Sequence, residues 1–371
     1  MKSFHAILTI IVITSSAKFA QSLNCTINEF DQLKNITQSC RNIVISNLVV
    51  PAAKSLELSL LPKTTLDFQG RITFEYSAWN GPLVTILGES LTIRGSPESV
   101  LDGQGQLYWD GKGGNGGKPK PVFMRIKAQN SLFENIKILN CPVRCVSISH
   151  SSNTKIRYWT IDVSDGDKNN FTGHNTDGFD LGSNNNLVIE HSVVKNQDDC
   201  VVVNKGSNIL IQNMTCSGGH GLSLSVGSSL NNFEDNTVYN VTFRDSIIRQ
   251  SANGIHLKTH CNSGKGLIRN ITYENIRLID ITNFGINVQQ NYANGEATDK
   301  PKGNIPIVDF HLRNITGNMK SFMNSPTISA NIVCGIGGCS DWLWNGVVIN
   351  GAQNASICNF EPTGYKCNEN M

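Results

Sequence analysis

The amino-acid sequence predicts an all-β chain: a single-domain, right-handed parallel β-helix of about ten coils with a short N-terminal helical cap. Three observations lead there. Strand-length apolar segments recur between about Leu83 and Phe310, among them Asn135-Ile136-Lys137-Ile138-Leu139, Asn186-Leu187-Val188-Ile189, Asn208-Ile209-Leu210-Ile211, Asn240-Val241-Thr242-Phe243 and Asn270-Ile271-Thr272-Tyr273. Each alternates, and none sustains the 3.6-residue stripe of an amphipathic helix. The asparagine that opens a segment returns at steps of 22 (Asn186 to Asn208), 32 (Asn208 to Asn240) and 30 residues (Asn240 to Asn270), a loose period in the range of solenoids. A barrel of alternating strands and helices would need amphipathic helices between its strands, and none is found.

From the N-terminus, residues 1–20 carry Lys2, the apolar run Ala6 to Ile13 and then the small residues Ser15, Ser16, Ala17 and Ala20. That is the pattern of a secretory signal peptide, with the mature chain expected to start between Ser16 and Leu23. No later stretch has the length of a membrane-spanning helix, so a secreted, extracellular product with no membrane partner is expected. Residues 21–371 form one domain. Within it, Asn24 to Gln38 reads as a helical cap tied down by Cys25 and Cys40, because a solenoid needs a polar end. The glycine-rich run Asp110 to Pro121 lacks the Walker spacing and the closing Lys-Ser/Thr of a phosphate loop, and reads as a flexible loop beside a cleft. Trp342 and Trp344 are expected to cover the C-terminal end of the stack.

Eleven cysteines suit an oxidising compartment. Cys334 with Cys339, and Cys358 with Cys367, are spaced as short-range disulfides, and the odd count leaves one thiol over, for which Cys261 is the candidate. Eight sequons, at Asn24, Asn35, Asn170, Asn213, Asn240, Asn270, Asn314 and Asn354, offer glycosylation sites in a eukaryotic secretory pathway. A formal net charge of +2 with no basic stripe argues against nucleic acid as a partner. An anionic ligand must therefore be met by local cations.

Asp177 and Asp198 are 21 residues apart, as are Asp199 and His220. In coils stacked at about 4.8 Å, that step brings three carboxylates and an imidazole to one face. Hydrolysis of a glycosidic bond needs an acid to protonate the leaving oxygen and a base to activate water, and both are commonly carboxyls. Three carboxylates so close repel one another, so at least one keeps its proton to a higher pH than a lone Asp. The alternative, turn aspartates capping coils, gives no reason for acids one period apart.

Four motifs stand in order: Asn175-Thr176-Asp177-Gly178-Phe179-Asp180, Gln197-Asp198-Asp199-Cys200, Gly219-His220-Gly221-Leu222-Ser223 and Gly254-Ile255-His256-Leu257-Lys258-Thr259. Together they resemble the polygalacturonases, family 28 of the glycoside hydrolases, whose signature is Asn-Thr-Asp, Asp-Asp, Gly-His-Gly and Arg-Ile-Lys. The resemblance extends over essentially the whole mature chain. Asp102 to Pro121 looks like the family's long loop by the cleft, and Val288-Gln289-Gln290-Asn291-Tyr292 like the segment that supplies a substrate-contacting tyrosine. It implies an inverting hydrolase of the α-1,4 bonds of pectin and polygalacturonate, and since no long insertion between Asp177 and Tyr292 would block a groove, internal (endo) cleavage is expected. By the same resemblance Asp198 is the general acid, Asp177 and Asp199 hold and activate the water, and His220 tunes the acid. His256, Lys258 and Tyr292 then bind substrate, with no metal and no cofactor, in a monomer for which an inhibitor protein is a further partner class. Stacked coils alone suggest carboxyls near about 5 Å apart, the spacing of retaining enzymes. The family inverts, and a third carboxylate can position water without a wide gap.

The main departure is His256, which stands where the family has Arg. Imidazole lacks the guanidinium fork and is charged only below a pH of about 6.5. One lost charge-assisted contact costs about 1.5–3 kcal/mol, so weakened or acid-dependent activity is expected. Two alternatives follow: a catalytically impaired pectin-binding member, or one acting on oligogalacturonides or a rhamnogalacturonan backbone. His256, His260 and Cys261 match no familiar zinc spacing.

Overall fold

The computed structural model describes residues 25–367 apart from 170, 171, 294, 299 and 324; the apolar leader at 1–20 lies outside the described residues. The strands stack in rows, each pairing in parallel with the strand one coil on. The row that carries the site holds eleven strands: Leu56–Ser59, Val84–Glu89, Met124–Gln129, Val146–Ser149, Phe179–Glu190, Val201–Gln212, Leu222–Val226, Asn253–His260, Phe284–Ala293, Ile328–Val333 and Ile357–Cys358. This is a parallel β-helix. The short pairing of Phe284–Ala293 with Glu296–Ala297 runs antiparallel.

Side chains alternate in and out along each strand. Ile86, Ile126, Ile148, Leu181, Val203, Leu224, Leu257, Val288 and Ile332 thereby fall into register as one buried column through the stack. Each such burial contributes about 1.5–3 kcal/mol, and truncating Leu224 to Ala in this column would cost about 2–5 kcal/mol.

The recurring asparagines explain the corners. Asn186, Asn208, Asn240 and Asn270 all take left-handed backbone, with φ of 55°, 56°, 55° and 57°. Asn is tolerated there because its short amide bonds locally. Asn208 Nδ2 donates to Asn185 Oδ1 (2.7 Å), Asn240 Nδ2 to Asn208 Oδ1 (2.7 Å) and Asn270 Nδ2 to Asn240 Oδ1 (3.1 Å). The sequence period is thus a hydrogen-bonded ladder from coil to coil.

The ends differ in detail from expectation. The stack starts before Leu83 and continues past Phe310. Cys25–Ile27 is a strand, not helix, because it supplies the first rung beneath Asn42–Ser46. The helix proper is Leu33–Ser39, held by the Cys25–Cys40 disulfide. Cys334–Cys339 and Cys358–Cys367 pair, and Cys261 is free and buried. Cys141–Cys145 and Cys200–Cys216 also pair; the second anchors the residue after Asp199. Trp342 and Trp344 stack at 5.9 Å between Phe310 and the C-terminal Phe360 and Tyr365.

Candidate active site

One trough runs along the stack. Its widest part, about 850 Å³, is lined by Asn175, Asp198, His220, His256, Lys258 and Tyr292. A neighbouring recess adds Asp177, Asp180, Asp199 and Arg144 and shares Asn175, Asp198, Lys258 and Tyr292 with it. All seven residues singled out in the sequence therefore meet in one place. The glycine-rich loop forms part of the wall, with Gly114 N–H donating to Asn175 Oδ1 at 2.9 Å.

Register produces this convergence. Asp177 and Asp199 each stand two residues before paired strand residues, Phe179 and Val201, and Gly178 N–H donates to Asp199 O at 2.9 Å. His220 lies one coil on, its N–H donating to Asp198 O at 2.8 Å. The flanking glycines are required: a Cβ on Gly219 would lie 2.0 Å from Asp198 O, and Gly221 has φ +86° with Gly254 O in the way. His256 and Lys258 alternate on Asn253–His260, opposite Ser223 and Ser225.

Each acid has distinct partners. Asp198 faces His220 Nδ1 through Oδ1 at 3.0 Å and accepts from Asn175 Nδ2 at 2.8 Å through Oδ2. Asp199 accepts from Ser223 Oγ at 2.5 Å and from Lys258 Nζ at 2.9 Å, a pair whose side chains are 3% and 8% exposed. Lys258 also lies 5.4 Å from the Tyr292 ring centroid, a cation–π approach. Ligand atoms of Asp198, Asp199 and His220 lie within 4.8 Å of one another, and the hydrogen bonds and ion pairs just described engage all three residues.

Burial and mutual repulsion split the carboxyls. Burial, then the charges of Asp198, Asp180 and Asp199, push Asp177 well above the ordinary carboxyl range. Burial also raises Asp180, to about 6, with Asp199 and Asp198 adding to it and Arg144 opposing. Burial alone would raise Asp198, but the charge and hydrogen bond of His220, with Lys258, hold it well below the usual range. His220 rises in turn, as Asp198 outweighs desolvation, although its side chain is 41% exposed. Burial lowers Lys258, and Asp199 and Asp198 more than reverse this. Burial and like charges thus favour the protonated form of Asp177, and His220 with Lys258 favours the charged form of Asp198, within one coupled set.

His256 differs from expectation. Its Nε2 meets Gln289 Oε1 at 3.2 Å and its Nδ1 meets Asn253 Nδ2 at 3.4 Å. Burial and the Lys258 charge hold it well below the ordinary histidine range. This lowered proton affinity disfavours an acid-triggered cation at His256. Asp180, Asn175, Ser223 and Gln289 were not singled out from sequence. Asp180 and Asn175 stand in the same motif as Asp177, Ser223 in the motif of His220 and Gln289 in the segment of Tyr292, so each lies in a signature stretch that by itself assigns it no role.

Clustered carboxyls of split proton affinity, set in a trough on a parallel β-helix, define an acid–base glycosidase site. Glycosyl hydrolases family 28 matches residues 40–367, and the chain belongs to that family. It is similar to the polygalacturonase of Phaedon cochleariae, at 49% identity over 360 residues and 96% of each chain. It is also similar to endopolygalacturonase I of Aspergillus niger, at 41% over 355 residues, 95% of this chain and 93% of that one. Among solved structures, endopolygalacturonase I from Stereum purpureum, complexed with two galacturonate, superposes with TM-score 0.74 at 31% identity, covering 90% and 96% of the two chains. The polygalacturonase from Erwinia carotovora, at 18% identity and TM-score 0.63, shares the fold.

Proposed function

We propose that the protein is a secreted endo-polygalacturonase that hydrolyses α-1,4 bonds within pectin or polygalacturonate, with inversion. One observation carries the reading: the acids lie part-way along a continuous trough, with recesses on both sides, so a polymer passes through instead of ending there. The 49% and 41% identical relatives support the substrate.

The roles are those the family resemblance implies, reconciled with the charge pattern. A uronate entering the trough expels water and offsets the positive fields of His220 and Lys258, and both changes raise the proton affinity of Asp198. Coupled carboxyls share protons as a set, so the proton passes from Asp177 to Asp198, which delivers it to the leaving oxygen. Asp177, now charged, and Asp199 hold the water, and its proton goes to this pair as oxygen attacks the anomeric carbon. Tyr292 and Lys258 position the sugar.

Incubation with polygalacturonate from pH 4 to 7, with products resolved by size, tests the reading. A ladder of oligomers is expected, and Asp198→Asn should abolish it. Monomer or dimer from the start would mean terminal attack; affinity with no new reducing ends would leave a binding protein.

A further inference from the structure

The trough is electrically lopsided about its acids. Toward the earlier coils a recess is lined by Lys118, Arg125 and Arg144, with Arg125 exposed and the Arg144 side chain 54% exposed. Toward the later coils the wall is made of Ala252, Asn253, His256, Phe284, Asn287 and Gln289. None of those six bears a charge. Lys258 and His220 stand at the acids themselves, Lys258 paired with buried Asp199, while Lys112 rides on the glycine-rich loop.

The neutral wall is internally wired. Gln289 Oε1 accepts from His256 Nε2 and from Asn287 Nδ2, each at 3.2 Å, and Asn287 Oδ1 accepts from Asn331 Nδ2 at 2.8 Å. His256 Nδ1 is taken by Asn253 Nδ2, and Asn253 Oδ1 has no hydrogen-bond partner. What remains toward the trough are neutral amide N–H groups of Gln289, Asn287 and Asn253, while Asn253 Oδ1 is buried. A carboxylate placed there gives up hydration for no opposing charge. An uncharged ester needs a single donor for its carbonyl, and its methyl gains contact with Phe284 and Ala252.

We infer that the half of the trough beyond Lys258 accepts a methyl-esterified galacturonate, while the half lined by Arg125 and Arg144 takes a free uronate, so that the enzyme cuts between an acidic and an esterified residue. This rests on the reading of the site as a polygalacturonan hydrolase and names the substrate class of its neutral side.

Partly methyl-esterified pectin is digested and the products are sequenced by tandem mass spectrometry, beside kcat/KM on that pectin and on de-esterified polygalacturonate. Methyl esters should be enriched at one end of the products, always the same end. His256→Arg should move the kcat/KM ratio toward polygalacturonate by about tenfold or more, and His256→Gln, which stays neutral, should leave it in place. Esters scattered evenly or excluded from both ends, or a ratio unmoved by His256→Arg in a folded variant, would overturn the inference. Calorimetry of the Asp198→Asn variant with trigalacturonate and with its methyl ester reads the preference without turnover. Absence of products from every substrate sinks the hydrolase reading, whereas equal or weaker binding of the ester sinks this one.

Discussion

Lys258→Met removes a cation from a site where almost no water can replace it. The Lys258–Asp199 contact is 2.9 Å between side chains 8% and 3% exposed. At an effective dielectric near 20, two unit charges at that distance attract by about 6 kcal/mol, most of it offset by the cost of desolvating both ions. Deleting only the lysine leaves Asp199 buried with Ser223 Oγ as its remaining donor, and an orphaned buried charge costs about 3–5 kcal/mol. Asp199→Asn combined with Lys258→Met leaves two neutral groups and should restore all but about 1–2 kcal/mol. The folded pKa of Lys258 is raised, so its contribution is complete below the unfolded lysine value of about 10.4 and fades only at higher pH. The deficit should therefore be level from pH 6 to 9. Denaturant midpoints give the stabilities, and reducing-end release from polygalacturonate gives activity. The single variant should be unstable and inactive, the double stable and inactive. A single variant within about 1 kcal/mol of the parent, or a double no more stable than the single, would refute the reasoning.

Asp180 is raised to about 6, so its contribution to stability is greatest below the unfolded carboxyl value and is lost as pH rises through 6. This one group contributes a loss on the order of 3 kcal/mol between pH 4 and 7, so the fall in denaturant midpoints over that range should be smaller in Asp180→Asn than in the parent. His220→Gln removes the charge that lowers Asp198, so the alkaline limb of the kcat/KM profile should move up; a limb that stays or falls contradicts the network. Asn240→Ala loses ladder bonds on both sides and leaves a β-carbon at φ 55°, for about 2–3 kcal/mol, while Asn240→Gly should cost about 1 kcal/mol less, both read as midpoints.

Much of the architecture was legible because a solenoid writes its period into the chain. Asn208, Asn240 and Asn270 occupy equivalent corners, and the Asp199–His220 step is one coil long, whereas the coil from Asp177 is 22 residues and lands on Asp199, so the 21-residue step to Asp198 falls one residue short of the register. Local features that a neighbouring coil dictates were less visible. Cys25–Ile27 becomes strand because a partner lies above it, whatever its cap-like sequence. Which carboxyl keeps the proton was out of reach, since that depends on the fields of His220, Lys258 and three other acids at once. The resemblance marked Asp198 as acid, and the resting charges favour the proton on Asp177. His256 was visible as a departure, but its lowered proton affinity comes from burial and from the Lys258 charge in the folded site, which the sequence does not display.

Because the trough is assembled from rungs, its length is an integer property of the chain. Duplication of one whole turn would lengthen the grip on the polymer by a fixed increment and leave the chemistry untouched, and a residue gained in a corner or bulge is absorbed there, as the 21-, 22- and 33-residue coils around the site show. Lineages can therefore retune how long a substrate must be without disturbing how it is broken.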